Sequence, residues 1–174
     1  MNKTMLDCIM SRVSVRTYTD EPVADEELEA ILKAGMAAPS AWNGQPWRFI
    51  VINDRNMLEA VAGVDKYAAE AAKAPVAIVV CGDLSTKYPD GIVDYWTQDV
   101  SAASENILLA AHSLGLGAVW CGIYPLMDRV RKLQSLLNLP DNVIPMNIIP
   151  VGHPRQELHP KDKWDRKKIH FNQW

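Results

Sequence analysis

One segment constrains this fold more than any other. The spacing predicts the longest helix over residues 92–114, and its second half, Ile107-Leu108-Leu109-Ala110-Ala111, is apolar almost all round. A surface helix keeps a polar stripe, so a helix without one is buried in the protein or in a subunit interface. Gly115 gives it a C-terminal stop. The rest of the chain has to cover this rod.

Helical spacing recurs over 25–37, where Leu28, Ile31, Leu32 and Met36 share a face. Asp25, Glu26 and Glu27 lie in its first turn, where acids suit the helix dipole, and Pro39 closes it. Residues 48–53 read as a buried strand. Helical segments near 54–62 and 66–73 end at Pro75, which introduces a strand over 76–81 bounded by Gly82. After the long helix come a short strand at 118–121, a turn at 122–125, a helix at 126–138 before Pro140, and a last strand over about 146–151. Helices and strands intermingle, but the crossovers are too irregular for a doubly wound parallel sheet. The reading is one α+β domain spanning 1–174, a small sheet covered by helices, with 153–174 as an extended tail.

Apolar residues make up 48 % of the chain and charged residues 22 %, as in an ordinary soluble globular protein. The net charge of −3 is unevenly spread. Residues 153–174 carry six Lys or Arg against three acids, which leaves twelve basic and eighteen acidic residues, net −6, on the body. Such a tail either docks on acidic surface or meets an anionic ligand. It is too short, and the body too repulsive, for nucleic acid. Cys8, Cys81 and Cys121 form no C-x-x-C pair and are odd in number, which points to reduced thiols. No leader pattern and no membrane-length apolar run is present, so a cytoplasmic protein without membrane partners is expected.

Chemistry concentrates near the N-terminus. Arg12-Val13-Ser14-Val15-Arg16 brackets a serine with two guanidinium groups, a set able to grip a phosphate. Pro39-Ser40-Ala41-Trp42-Asn43-Gly44-Gln45-Pro46-Trp47 is a polar loop with aromatic flanks, able to hydrogen-bond a planar heterocycle. Together they read as the two ends of a nucleotide-like cofactor site. The four histidines lack metal-ligand spacing, and no metal is expected. Gly115-Leu116-Gly117 follows a helix and precedes a strand, the reverse of a dinucleotide-binding fingerprint.

These motifs, with Trp-Cys-Gly-Ile-Tyr-Pro at 120–125, Val-Gly-His-Pro at 151–154 and Lys-Asp-Lys at 161–163, resemble the FMN-dependent nitroreductase family in content and order from about residue 5 onward. The resemblance implies a three-layer sandwich with a mixed or antiparallel sheet. It also implies a homodimer holding two FMN molecules at its interface, the tail wrapping the partner subunit. By position, Arg12 and Ser14 would hold the ribityl phosphate, with Val13 between them also in the cofactor site, and Arg16 would sit near flavin N1 and O2. Pro39, Ser40, Ala41, Asn43 and Gln45 match the loop contributed by the other subunit. Cys121, Gly122 and Ile123 match the turn whose backbone N–H groups approach N5 and O4. Lys161 and Lys163 match a Lys-x-Arg pair that closes on the phosphate. Lysine in place of the arginine gives up bidentate gripping for a point charge.

The activity implied is hydride transfer from NAD(P)H to the flavin and on to nitroaromatic, quinone or similar small-molecule acceptors by a ping-pong mechanism. The flavin carries the chemistry, so no catalytic side chain is assigned. A flavin-binding store or redox sensor on the same fold is the alternative. Trp47, directly before a strand, reads as core. Trp96 is placed on the exposed early half of the long helix with Tyr95, as an interface anchor or a lid, and Tyr124 is left between the same two roles.

Overall fold

The computed structural model describes residues 4–92 and 94–174. Five helices run Met5–Ser11 (α1), Asp25–Met36 (α2), Arg55–Ala62 (α3), Tyr95–Ser113 (α4) and Met127–Leu137 (α5). The strands are Trp47–Ile52 (β1), Val76–Asp83 (β2), Gly117–Ala118 (β3), Cys121–Gly122 (β4) and Val143–Gly152 (β5). The sheet order is β1-β2-β5-β3, with β4 also on β5, and every ladder is antiparallel. β2 is buried at every position, so both sheet faces need cover. α4 and α2 pack together as one group, while α3, the 3-10 segment Lys66–Lys73 and α5 form another that reaches β4 and β5. The α+β sandwich is the expected one.

The long helix is shorter than its apolar pattern suggested, Tyr95–Ser113 rather than 92–114. The expectation for Trp96 is overturned. Its indole is only 4 % exposed, edge-on to Tyr124 at 5.0 Å between ring centroids. It fits there because β2 presents Gly82 opposite: a Cβ on that residue would lie 2.2 Å from Trp96 Cε3. Gly82→Ala should therefore destabilise the protein by about 1–3 kcal/mol through overpacking. A thermal melt should register this as a fall in Tm of about 2–12 °C, and an unchanged melt would show that Trp96 can shift without cost.

Smaller differences have local causes. β5 begins three residues before the expected 146 because Pro145, which argues against a ladder position, is absorbed at a register shift opposite Val80 and Cys81. The strand expected at 118–121 is two short pairings, β3 and β4, separated by Val119 and Trp120. Trp47 is core, but Met36 points away from the face expected for it and is exposed. α1 was not foreseen. Thr4 and Asp7 build a reciprocal capping box at its start.

Candidate functional site

The segment after α1 runs extended beside β3. Ser14 forms a parallel bridge with Ala118, and Val15 N–H donates to the Ala118 carbonyl at 3.0 Å. In extended backbone, alternate side chains share a side. Val15 turns inward and is buried with Tyr18 and Ala74, Val13 packing beside them. Arg12, Ser14 and Arg16 are thereby left on the other side. The fit is close: a Cβ on Gly117 would stand 2.6 Å from the Val15 side chain. Tyr18 fixes the far end, its hydroxyl donating to the Val15 carbonyl at 2.6 Å, and burial pushes its pKa upward.

That segment also roots the tail. Thr19 N–H donates to the His153 carbonyl at 2.9 Å, Arg155 N–H to the Thr17 carbonyl at 3.1 Å, and Arg155 Nε to the Tyr18 carbonyl at 2.9 Å. Anchored there, the tail returns over Arg12–Arg16 and forms one wall of an open cavity of about 770 Å³. Arg12, Val13, Ser14, Arg16, Lys161 and Lys163 all line it. Facing those four cations are two carboxylates, Glu105 and Glu157. A cavity with excess positive charge on a chain of net −3 favours an anionic ligand. Its size is ordinary for a cofactor site. Arg12 Nε is 3.5 Å from Glu105 Oε1 on α4, which aims that guanidinium along the cavity wall.

The 39–45 loop does not line this cavity in the same chain. It is fixed elsewhere, at the start of α4. Asp99, 5 % exposed, accepts the Ala41 N–H at 2.9 Å and the Tyr88 hydroxyl at 2.8 Å. Ser40 Oγ accepts the Gln45 N–H at 3.1 Å, and Gln45 Nε2 donates to Asn43 Oδ1 at 2.9 Å. Trp42, Asn43 and Gln45 all have left-handed backbone, at φ 49°, 56° and 48°. For bulky side chains each such residue costs about 1–3 kcal/mol, and surroundings this well bonded are what hold it.

Cys121, Gly122 and Ile123 occupy β4 and the turn after it, with Cys121 opposite Ile148 and Gly122 opposite Asn147. Ile123 N–H and Tyr124 N–H both donate to the Met146 carbonyl, at 3.0 and 3.1 Å. The Cys121 thiol is buried, and that burial, with Glu70 adding and Arg16 opposing, pushes its pKa up to about 11. It is a neutral thiol at pH 7, not a nucleophile. Arg12 pairs toward α4, while Arg16 lines the same cavity from the other end of the segment.

Several groups here carried no legible signal. Glu105 lies on α4, far in sequence from the cation it meets. Asp99 is one acid within an otherwise ordinary helix. Arg129 donates to the Gly122 carbonyl at 3.1 Å and to Asp65 at 2.8 Å, so α5 steadies the β4 turn. Among the described residues, no three His, Cys, Asp or Glu side chains converge as metal ligands, and no helix is long and apolar enough to cross a membrane. Cys8, Cys81 and Cys121 are buried free thiols.

Comparison with known proteins places this geometry. The Nitroreductase family matches over residues 9–73 and 60–153. A protein of Methanothermobacter thermautotrophicus named "Putative NADH dehydrogenase/NAD(P)H nitroreductase" is 47 % identical over 170 residues, covering 98 % of this chain and 87 % of that one. A crystal structure of the same description from Bacteroides thetaiotaomicron superposes with a TM-score of 0.93 at 44 % identity, over 100 % of both chains. An FMN-dependent nitroreductase from Clostridium difficile gives 0.88 at 31 % identity, over 96 % of this chain and 98 % of its own. Sequence, motif order and fold agree: the chain belongs to the nitroreductase family.

Proposed function

We propose that the protein is an FMN-dependent oxidoreductase that takes electrons from NAD(P)H and delivers them to nitroaromatic, quinone or similar acceptors by a ping-pong mechanism. The observation that carries this reading is the single cavity in which Arg12, Ser14 and Arg16 from one end of the chain meet Lys161 and Lys163 from the other. That donor set suits a phosphate monoester: one hydroxyl, guanidinium forks and point charges. When bound, FMN supplies hydride transfer at its N5 atom. Arg12, Ser14, Lys161 and Lys163 hold its phosphate. Arg16, which lines the same cavity, would offset negative charge on the reduced ring. The backbone at Cys121 and Gly122, steadied by Arg129 at the Gly122 carbonyl, would meet the ring edge. Electrons balance without a catalytic side chain: NAD(P)H gives up a hydride, and a quinone acceptor gains a hydride and a proton.

The working unit in this reading is a homodimer, each site completed by the Pro39–Gln45 loop of the second copy. Two features support it. Pro39, Ser40, Ala41, Asn43 and Gln45 line no part of the cavity in their own chain. α1 exposes Met5, Leu6, Ile9 and Met10, and the tail exposes Trp164 and Phe171, large apolar side chains that a second copy would cover. Three buried thiols kept unpaired suit a reducing compartment, the cytoplasm.

The purified protein should be yellow, with one FMN per chain. Mass analysis of the released chromophore decides the cofactor, and FAD alone would overturn the assignment. Stopped-flow mixing with NADH and NADPH then separates an enzyme from a flavin store, because a store would not bleach and recover through repeated turnovers.

A further inference from the structure

Of the four cations that line the cavity, Arg12 is, among the described residues, the one with a carboxylate at ion-pair distance. The manner of the contact matters. The nearest approach to Glu105 Oε1, at 3.5 Å, is made by Nε, at the inner edge of the guanidinium. The outer end, where Nη1 and Nη2 can grip two oxygens at once, is thereby left for a second anion. The Arg12 side chain is 18 % exposed and that of Glu105 51 %, so the cation is the more enclosed partner. Glu105 stands on a rigid mount. Its neighbour Ser104 accepts from Asn147 Nδ2 of β5 at 2.9 Å, and its other neighbour Asn106 donates to the Ala34 carbonyl of α2 at 2.9 Å. The Arg12 backbone is fixed too, its N–H donating to the Cys8 carbonyl at 3.1 Å. Only the long Arg12 side chain is left to be oriented.

From this geometry we infer that Glu105 is a positioning residue for the cofactor, holding Arg12 by Nε so that its outer fork is presented to the phosphate of FMN. The inference rests on the reading that this cavity takes that phosphate. An arginine that samples many rotamers must be ordered when the ligand binds, and that ordering subtracts from affinity. A pair formed beforehand removes the loss. Its drawback is a negative charge near a dianion. That carboxylate is already paired and half exposed to water, so its repulsion is well screened and orientation outweighs it. Glu105 acts through Arg12 and needs no contact of its own with the ligand.

The test uses the full-length protein loaded with FMN, or with riboflavin, which has no phosphate. Serial dilution releases flavin, and the fluorescence of the free flavin gives each Kd without turnover. Glu105→Ala should weaken FMN binding by roughly 2- to 10-fold, the range expected when one long side chain is left to be ordered on binding. Riboflavin binding should not change. Glu105→Gln keeps an oxygen to accept from Nε–H and drops the charge, so it should hold FMN as tightly as the wild type or more tightly. In an Arg12→Ala background, Glu105→Ala should cause no further loss, because the partner it acts through is gone. An unchanged FMN Kd in Glu105→Ala would overturn the inference. So would tighter FMN binding in both Glu105 variants, the mark of a competing anion, or a loss that persists without Arg12. If Arg12→Ala still weakens FMN and spares riboflavin, each of these results leaves the proposed function standing. Equal wild-type Kd values for FMN and riboflavin would show that the cavity does not read the phosphate, and would sink both.

Discussion

Removing residues 156–174 is expected to abolish tight flavin binding and weaken the dimer together. The cut falls just after Arg155, so the hydrogen bonds that root the tail on Thr17, Tyr18 and Thr19 survive, and the sheet through Gly152 is untouched. What is lost is one wall of the cavity, including Lys161 and Lys163, and the packing of Leu158 on Val15 and Tyr18. A hydrogen bond to a charged group contributes about 1.5–3 kcal/mol. Two lysines on one phosphate therefore amount to about 3–6 kcal/mol, or roughly a hundredfold to ten-thousandfold in Kd. Because site and interface would be one structure, loss of FMN should lower dimer stability by linkage. Equilibrium dialysis against FMN and light scattering read the two effects separately. A truncated protein that stayed dimeric and fully flavinated would show the tail to be surface decoration.

Arg16→Ala should lower the flavin potential. The side chain lines the cavity, and among the charges acting on the Cys121 thiol its own is the one that lowers the pKa. A guanidinium there favours the reduced ring, which is more negative at N1 and O2 than the oxidised one. Loss of a contact of about 1.5–3 kcal/mol corresponds to about 30–60 mV in a two-electron couple. Reduction by NAD(P)H should slow, while transfer to an acceptor should not slow to match, because the variant's cofactor is a stronger donor. Arg12→Ala should behave differently. Arg12 pairs with Glu105, so its removal would leave that carboxylate unpaired at the proposed phosphate site and should weaken binding with little change in potential. Redox titration of both flavin-saturated variants distinguishes the two roles. Equal potentials in Arg16→Ala and wild type would make Arg16 a structural cation.

The parts of this protein that were legible in its sequence are those governed by local patterning. The apolar second half of α4, the acidic first turn of α2 and the apolar run of β2 announce buried elements, because period and composition are properties of a short window. The grouping of Arg12, Ser14 and Arg16 on one cavity wall has the same local origin: they alternate, and an extended segment puts alternate residues on one side. The order of four motifs along the chain was enough to suggest the family, and with it the sandwich.

Tertiary structure decided what depends on residues meeting from afar. Trp96 reads as exposed from its place on the helix, and only the missing side chain of Gly82 on a neighbouring strand makes room to bury it. Pro145 breaks a strand on paper, yet a register shift in the ladder with β2 accommodates it. Glu105, Asp99 and Arg129 carry no motif, since their value lies in a partner 93, 58 and 64 residues away: Arg12, Ala41 and Asp65. Sequence windows sense what a residue is and what stands beside it. Packing, charge pairing and left-handed backbone at Trp42 arise from long-range closure of the chain, and no window contains them.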